Sequence, residues 1–125
     1  MTWDWLGKAH ELQMTGKLFA IATIIEHKGS TPREAGAKMI VTREAFFGTV
    51  GGGQLEAKVL EDGREALAKV ESLAVPYPLC FRTGQCCGGA VDVLFEVMGI
   101  GPVLTIFGAG HVGQAVARVF SGTSF

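Results

Sequence analysis

Hydrophobic residues along this chain recur with two different spacings, and these spacings predict where helices and strands lie. Trp5, Ala9 and Leu12 recur at helical intervals, which predicts a helix over residues 3–15. Residues 54–70 carry apolar side chains on one broad face and charged side chains on the other. We therefore expect two amphipathic helices within the first 70 residues.

Runs of consecutive or alternating apolar residues predict the strands. Residues 18–26 are apolar at successive positions and rich in isoleucine, which is typical of a central strand buried on both faces. Residues 91–97 alternate, which indicates a strand with one packed face and one wetter face. Further elements are expected as short strands over 37–42, 45–50 and 79–82, and as a connection or edge segment over the proline-containing residues 71–78.

The pattern breaks at residues 99–102, Gly-Ile-Gly-Pro, where we place a boundary between an N-terminal domain and a second unit. The two units are residues 1–99 and residues 100–125. Beyond the boundary we expect an apolar strand, a glycine-rich loop and a helix, over 103–107, 108–113 and 114–120. The prediction is an α/β fold, a mixed sheet with flanking helices followed by the first βα unit of an incomplete Rossmann-like domain.

Composition narrows the class of protein. The chain has 125 residues, of which 48% are hydrophobic and 18% charged, so it can build one ordinary core. Its formal net charge of −1 gives no electrostatic signature for nucleic acid. No apolar run reaches membrane-spanning length and the N-terminus does not resemble a signal peptide, so we expect no membrane segment and a cytoplasmic location.

The segment 84–89, Gly-Gln-Cys-Cys-Gly-Gly, contains the densest candidate chemistry. Adjacent cysteines rarely bond to each other, and glycines on both sides let backbone N–H groups approach a ligand. A thiolate near such donors is a nucleophile or a soft-metal ligand. The alternative is a tight turn with two buried structural cysteines. Cys80 is expected to pack in the core.

Two further stretches are suited to an anion. Gly51, Gly52 and Gly53 lie where a strand passes into a helix, and helix N-termini attract negative charge. Glu56 in the first turn suits the helix dipole but would compete with a bound phosphate. Arg33 lies in a polar loop after the predicted central strand and could pair with a phosphate. The alternatives are a structural turn and a solvated arginine.

Residues 108–113 fit the Gly-x-Gly-x-x-Gly pattern of a dinucleotide loop, with Gly108, Gly110, His111 and Gly113 as candidate nucleotide-binding residues. This pattern supports an alternative function, a fragment of an NAD(P)-dependent oxidoreductase. A dinucleotide fold needs an acidic residue about 20 positions further on, and the sequence stops before it. We therefore do not expect NAD(P) to bind to this chain. His111 could equally be a solvent-facing residue at a helix start.

Together, four motifs resemble the XdhC/CoxI family of molybdenum-hydroxylase accessory proteins, over about residues 18–120. They are GSTPR at 29–33 with GAKM at 36–39, GTVGGGQLE at 48–56, GQCCGG at 84–89 and GAGHVG at 108–113. The resemblance implies a chaperone-like protein without turnover of its own. Such a protein binds the molybdenum cofactor (molybdopterin), protects its sulfurated form and passes it to a xanthine dehydrogenase-type apoenzyme. A separate cysteine desulfurase supplies the sulfur.

The resemblance and the residue chemistry together give a set of cofactor-binding candidates. They are Ser30, Arg33, Gly51, Gly52, Gly53, Gln85, Cys86, Cys87 and Gly88, with Cys86 and Cys87 as candidate molybdenum ligands. A third reading is a small metal-binding protein that uses the cysteine pair, but no histidine or further cysteine lies beside it in sequence. We also expect a homodimer or higher oligomer in which residues 103–120 pack on another copy, or else fold back on the N-terminal domain.

Overall fold

The computed structural model describes residues 3–29, 33–79, 89–99, 101 and 103–123. Within them the chain forms three helices and five strands, which confirms the α/β class. The helices are α1 (Trp5–Met14), α2 (Gly53–Lys69) and α3 (His111–Phe120). The strands are β1 (Phe19–Lys28), β2 (Lys38–Val41), β3 (Phe46–Gly48), β4 (Leu73–Leu79) and β5 (Gly89–Met98).

The five strands form one sheet in the order β3-β2-β1-β5-β4. All four neighbouring pairs are antiparallel, so the expectation of a mixed sheet was wrong. The reason lies in the connections. Strands β1 to β2, β2 to β3 and β4 to β5 are sequence neighbours that return beside each other, which favours antiparallel pairing. Among the described residues the only helical crossover is α2, which joins the two outer strands β3 and β4 and creates no parallel neighbours.

Strand β1 is central, as its sequence predicted, and both of its faces are covered. Residues 19–24 are all buried. Ala20, Ala22 and Ile24 belong to the core on the α2 side, whereas Phe19 and Ile21 belong to the core on the α1 side. Because successive side chains of a strand point to opposite faces, an unbroken apolar run is what a doubly covered strand requires.

Helix α1 begins at a side-chain cap and packs on β2. The Asp4 carboxylate accepts a hydrogen bond from the Gly7 N–H at 2.8 Å, which satisfies one free donor of the first turn. The Trp3 indole N–H donates to the Lys38 carbonyl oxygen at 3.2 Å, and the Lys38 ammonium lies 5.0 Å from the centre of the Trp5 ring. These contacts dock the N-terminal helix on one face of the sheet.

Helix α2 covers the opposite face. Its buried side chains recur at helical spacing and face strands β1, β2, β4 and β5: Leu55, Val59, Ala66 and Leu67. Gly63 lies in the same stripe, and a Cβ built there would approach the Val41 side chain to 3.2 Å. The absence of a side chain at Gly63 therefore lets the helix approach the sheet closely.

The segment after residue 99 differs from the prediction. Residues 103–107 were expected to form a strand, but they form none and pair with no strand among the described residues. A strand is stable only beside a hydrogen-bonded neighbour, and this segment pairs with none of the five strands of the sheet. Val103 and Phe107 are 88% and 96% exposed. Helix α3 forms as expected, although it begins at His111 rather than Gln114.

Helix α3 has no buried residue, so it does not fold back on the N-terminal domain. That half of the packing expectation was wrong, and packing on another copy stays a prediction. Within the described ranges, no helix combines the length and the apolar character needed to cross a membrane.

Candidate functional site

Three of the four sequence motifs follow strands that run in the same direction. Strand β1 precedes residues 29–33, β3 precedes residues 51–53 and β4 precedes residues 80–88. Both β1 and β4 run antiparallel to β5, and both β1 and β3 run antiparallel to β2. Strands β1, β3 and β4 therefore all point to one end of the sheet, where the three motifs follow them.

The strand register supports this arrangement. Lys28 pairs with Ala90, and Leu79 pairs with Gly89. The last residues of β1 and β4 and the first residues of β5 thus lie at one level of the sheet. We call this end the motif end, defined by Lys28, Leu79, Gly89 and Ala90. The topology thus brings together Lys28 and Leu79, the last residues of two strands, which lie more than 50 residues apart in sequence.

Several predicted site residues lie outside the described residues. They are Ser30, Gln85, Cys86, Cys87 and Gly88, together with Cys80 and most of the strand predicted over 79–82. Their roles stay predictions. Among the described residues, no three histidine, cysteine, aspartate or glutamate side chains are grouped closely enough to hold a metal ion.

Arg33 is exposed and lies beyond the end of β1. Together with Glu34, Ala35 and Ala37 it lines an open depression of the surface. Two backbone hydrogen bonds join the end of this loop to Ile24 of β1. The Gly36 N–H donates to the Ile24 carbonyl at 2.7 Å, and the Ile24 N–H donates to the Ala37 carbonyl at 3.0 Å. The guanidinium is thus carried by a loop anchored beside β1.

The triple glycine forms the entry to α2, as predicted. Gly52, the N-cap residue, has φ 77° and ψ −174°. This combination is open almost only to glycine, because a Cβ would crowd the backbone. A Cβ built at Gly52 or Gly53 meets no atom within 4 Å, so solvent or a ligand can approach this backbone closely. The helix N-terminus is therefore accessible from outside.

Glu56 already places a negative charge at this N-terminus. Its carboxylate accepts hydrogen bonds from the Thr49 hydroxyl and, at 3.2 Å, from the Gly52 N–H. The Gly51 N–H in turn donates to the Thr49 hydroxyl at 3.1 Å. A helix leaves its first N–H groups without intrahelical acceptors. The Glu56 carboxylate accepts from one of these N–H donors, that of Gly52, and would therefore compete with a phosphate bound at the helix N-terminus.

The second glycine motif has the geometry of a close helix-to-loop packing. A Cβ at Gly113 would lie 2.3 Å from the Gly108 carbonyl oxygen, so only glycine fits there. Gly108 and Gly110 have open space around them. His111, at the first position of α3, is exposed. These features suit a dinucleotide loop, whose third glycine allows close packing.

This loop is attached away from the other motifs. Strand β5 ends at Met98, which pairs with Phe19 at the opposite end of the sheet from the motif end. Residues 101–123 therefore leave the sheet there. The structure unites the approaches to three motifs and attaches the fourth, residues 108–113, elsewhere.

Sequence reasoning missed a polar pair between α2 and β4. The buried Tyr77 hydroxyl donates a hydrogen bond to the Asp62 carboxylate. Burial, with a further contribution from this hydrogen bond, raises the pKa of Tyr77 well above its ordinary value. The two residues lie 15 positions apart, so no local spacing announces the pair.

Comparisons with known proteins agree with this architecture. Residues 12–78, more than half of the chain, match the XdhC and CoxI family. The chain therefore belongs to the XdhC and CoxI family. This match includes the segments that carry Arg33 and Gly51–Gly53, and it confirms the resemblance drawn from the motifs.

Two individual proteins are similar over most of the chain. The uncharacterized protein YqeB of Escherichia coli (strain K12) is 34% identical over 115 residues, which are 89% of this chain and 21% of YqeB. A crystal structure of a xanthine dehydrogenase from Bacillus halodurans superimposes with a TM-score of 0.59 and 24% identity, over 90% of this chain and 34% of that one. The latter likeness establishes the fold alone. The chain thus spans about a fifth and a third of these two proteins.

Proposed function

We propose that this chain is the cofactor-binding part of an accessory protein for a xanthine dehydrogenase-type molybdenum hydroxylase. It binds the molybdenum cofactor in the cytoplasm, protects its sulfurated form and passes it to the apoenzyme. A cysteine desulfurase supplies the sulfur, and the chain itself catalyses no turnover. Family membership supports the accessory role. The observation that carries the proposal is that β1, β3 and β4 all run to the motif end.

The described part of the motif end suits the phosphate of the pterin. Arg33 offers a guanidinium that pairs with phosphate through two parallel hydrogen bonds. The start of α2 offers backbone N–H groups in open space, beyond the one that Glu56 takes. The molybdenum centre, once delivered, supplies the redox chemistry of the recipient enzyme. This chain only has to hold and shield it.

In this proposal the cysteine pair supplies the soft ligand. Cys86 and Cys87 lie in the connection between Leu79 and Gly89, which are paired at the motif end. Thiolate is a soft ligand, which suits a metal that is already held by the sulfur atoms of a dithiolene. Thiol labelling against pH checks this role. One cysteine of the pair should be labelled at pH values well below about 8.5, the pKa of an ordinary cysteine thiol. Cys80 should be labelled slowly or only on unfolding.

Titration of two arginine variants tests the phosphate contact. Molybdopterin released from a purified molybdoenzyme is titrated into the parent chain, Arg33→Ala and Arg43→Ala. Arg43 is a matched control, because it is an exposed arginine that follows β2, which runs away from the motif end. Loss of a charge-assisted contact costs about 1.5–3 kcal/mol, so Arg33→Ala should bind at least about tenfold more weakly. Equal affinity of all three chains would remove Arg33 from the site.

We also propose that the chain self-associates through residues 103–120. This segment exposes Val103, Phe107, Val112 and Val119, and exposed apolar faces of this kind recruit partners. Sedimentation at several concentrations should show a dimer or a larger assembly that Phe107→Ser weakens. A monomer at every concentration would contradict this part of the proposal.

A further inference from the structure

Helix α2 ends in a backbone conformation that its residue disfavours. Val70 has φ 53° and ψ 47°, and it is the one non-glycine residue with positive φ within the described ranges. In this left-handed region the Cβ crowds the following carbonyl oxygen, and a β-branched side chain fits worst of all. Glycine is the usual residue at this position and adopts it without that crowding.

The valine gains little within the chain in return. Its side chain is 46% exposed, so core packing does not offset the backbone cost. The hydrogen bonds that end the helix run from the Val70 N–H to the Leu67 carbonyl and from the Glu71 N–H to the Ala66 carbonyl. These are backbone bonds that any residue with an N–H would make. An exposed and strained apolar side chain points to a role outside this chain's own fold.

A groove with an apolar floor is lined by Lys69 and Glu71, the two sequence neighbours of Val70. It has a volume of about 140 Å³, between the C-terminal half of α2 and the edge strand β4. We call it the α2–β4 groove, and it is lined by Asp62, Glu65, Ala66, Lys69, Glu71, Leu73 and Val75. Leu73 in its wall is 38% exposed. Since water occupies about 30 Å³ per molecule, the groove has room for one or two side chains.

The charges around the groove do not balance. Three of its lining residues are carboxylates and one is a cation, the Lys69 ammonium, which lies 2.5 Å from the Glu65 carboxylate. The Asp62 carboxylate accepts the Tyr77 hydroxyl, a neutral donor. The lining therefore carries two negative charges in excess, and its one cation, Lys69, attracts the Glu71 carboxylate as well as that of Glu65. An apolar floor with a negative rim is complementary to an apolar side chain flanked by a basic one.

The outer edge of β4 restricts how a partner can dock. Proline has no N–H, and it occurs in strands where the missing donor would point away from the neighbouring strand. Pro76 and Pro78 therefore deprive the free edge of two donors. A partner strand could not form a regular ladder along this edge. Docking must instead use side chains, as a helix or a turn of a partner would.

We propose that the α2–β4 groove, together with Val70, is a docking surface for a protein segment that presents lysine or arginine next to a branched apolar side chain. The groove lies at the end of the sheet opposite the motif end, because α2 runs from the entry after β3 to the start of β4. Partner docking and ligand binding at the motif end therefore do not compete. This inference is independent of the proposed function.

The first test is thermal unfolding of Val70→Gly in the full chain. Because glycine adopts the left-handed conformation without strain, we expect its Tm to rise by about 3–5 °C. Glu44→Gly is the control, since Glu44 is exposed in the bend between β2 and β3 and has no positive φ for glycine to relieve, and its Tm should not rise. A lower Tm for Val70→Gly would show that the valine supports the fold, and would overturn the proposal.

The second test uses three designed helical peptides as probes, titrated into the isotope-labelled chain and followed by NMR. The first peptide carries leucine and lysine one turn apart, the second replaces lysine with glutamate, and the third replaces leucine with serine. We expect saturable shifts at residues 62–75 with the first peptide alone, and about tenfold weaker binding to Val70→Gly and to Glu71→Lys. Binding to Glu44→Gly should be unchanged.

Three outcomes would overturn the proposal. The leucine–lysine peptide could fail to bind, or it could bind Val70→Gly as tightly as the parent. The glutamate peptide could bind equally well, which would remove the charge argument. The shifts at residues 62–75 could instead appear on raising the chain's own concentration and vanish in Val70→Gly, in which case the occupant is a second copy of this chain.

Discussion

The chain contains two glycine-rich entries to a helix, which share a glycine N-cap but differ in the burial of the helix that follows. The entry at Gly51–Gly53 leads into α2, which buries a full stripe of side chains against four strands. The entry at residues 108–110 leads into α3, which buries none. At the fourth helical position α2 has Glu56, whose carboxylate accepts from the Gly52 N–H, whereas α3 has Gln114, whose amide donates to the Ala109 carbonyl.

The difference shows that a local sequence pattern can specify a helix without determining whether that helix is buried. Glycines followed by an amphipathic stretch are enough to form a helix in both places. Of these two helices only α2 packs on the sheet, and it alone of the two gains the stability that comes from removing apolar surface from water. The same distinction separates β1, a buried strand, from residues 103–107, an equally apolar run that forms no strand.

The largest predicted effect contrasts two phenylalanines. Phe95 is fully buried under α2, and Phe107 is 96% exposed. Phe95→Ala should lower the free energy of unfolding by about 3–5 kcal/mol, because it leaves a cavity in the core. Phe107→Ala should change it by less than about 0.5 kcal/mol. Urea unfolding measures both, and a comparable loss in Phe107→Ala would mean that residues 103–107 are packed after all.

The two N-cap glycines should respond differently to alanine. Gly52 has φ 77° with ψ −174°, whereas Gly110 has φ −72°, which any residue adopts. We expect Gly52→Ala to cost about 1–3 kcal/mol and Gly110→Ala to leave the free energy of unfolding almost unchanged. Differential scanning calorimetry gives both values. Equal tolerance at the two positions would contradict the described entry to α2.

Titration of the chain's tyrosine at alkaline pH should report on the packing of α2 against β4. The chain has one tyrosine, Tyr77, in β4. Burial raises its pKa in the folded chain above the unfolded value of about 10, so the folded state keeps a proton that the unfolded state releases. This stabilisation is complete below about pH 10 and is lost as the pH rises further.

Phenolate absorbance should therefore appear only together with the loss of circular dichroism from α2. Tyr77→Phe removes the hydrogen bond to Asp62 and should cost about 0.5–1.5 kcal/mol at neutral pH. Phenolate formation near pH 10 with the fold intact would show that Tyr77 is accessible to water.

The smallest predicted effect contrasts the two fourth-position side chains. Glu56→Gln removes a negative charge from the N-terminus of α2 while keeping the side chain's size, and should cost about 0.3–1 kcal/mol at low salt. The cost should shrink as salt is added, because salt screens the interaction with the helix dipole. The change in the free energy of unfolding caused by Gln114→Ala in α3 should be too small to detect, since this exposed side chain carries no charge. A salt-independent loss in Glu56→Gln would point to hydrogen bonding rather than charge.

Sequence alone predicted most of the elements and the central place of β1, because hydrophobic spacing records which faces are covered. It also predicted the glycine entry to α2 and the competing position of Glu56. It missed the direction of strand pairing, since an apolar pattern does not say which way a neighbour runs. The strand at 103–107 failed for a related reason, because strand formation depends on a neighbour and not on the segment itself.

The sequence predicted which residues belong to the candidate site, but not where in the fold they lie relative to one another. Arg33 and Gly51–Gly53 were chosen for their chemistry, and only the register shows that β1, β3 and β4 all run to the motif end. The Tyr77–Asp62 pair and the strained Val70 escaped prediction altogether. A hydrogen bond between residues far apart in sequence follows no regular spacing that a sequence pattern could reveal. A helix that ends without glycine is recognised only by the absence of the usual residue.

The most direct test of the central claim is the molybdenum and pterin content of the chain purified from cells that make the molybdenum cofactor. Mass spectrometry would quantify both per chain for the parent and for Cys80→Ser, Cys86→Ser and Cys87→Ser. We expect the parent and Cys80→Ser to retain both components, whereas Cys86→Ser or Cys87→Ser should lose them with little change in Tm. A parent chain without cofactor, or equal retention by all four chains, would contradict it.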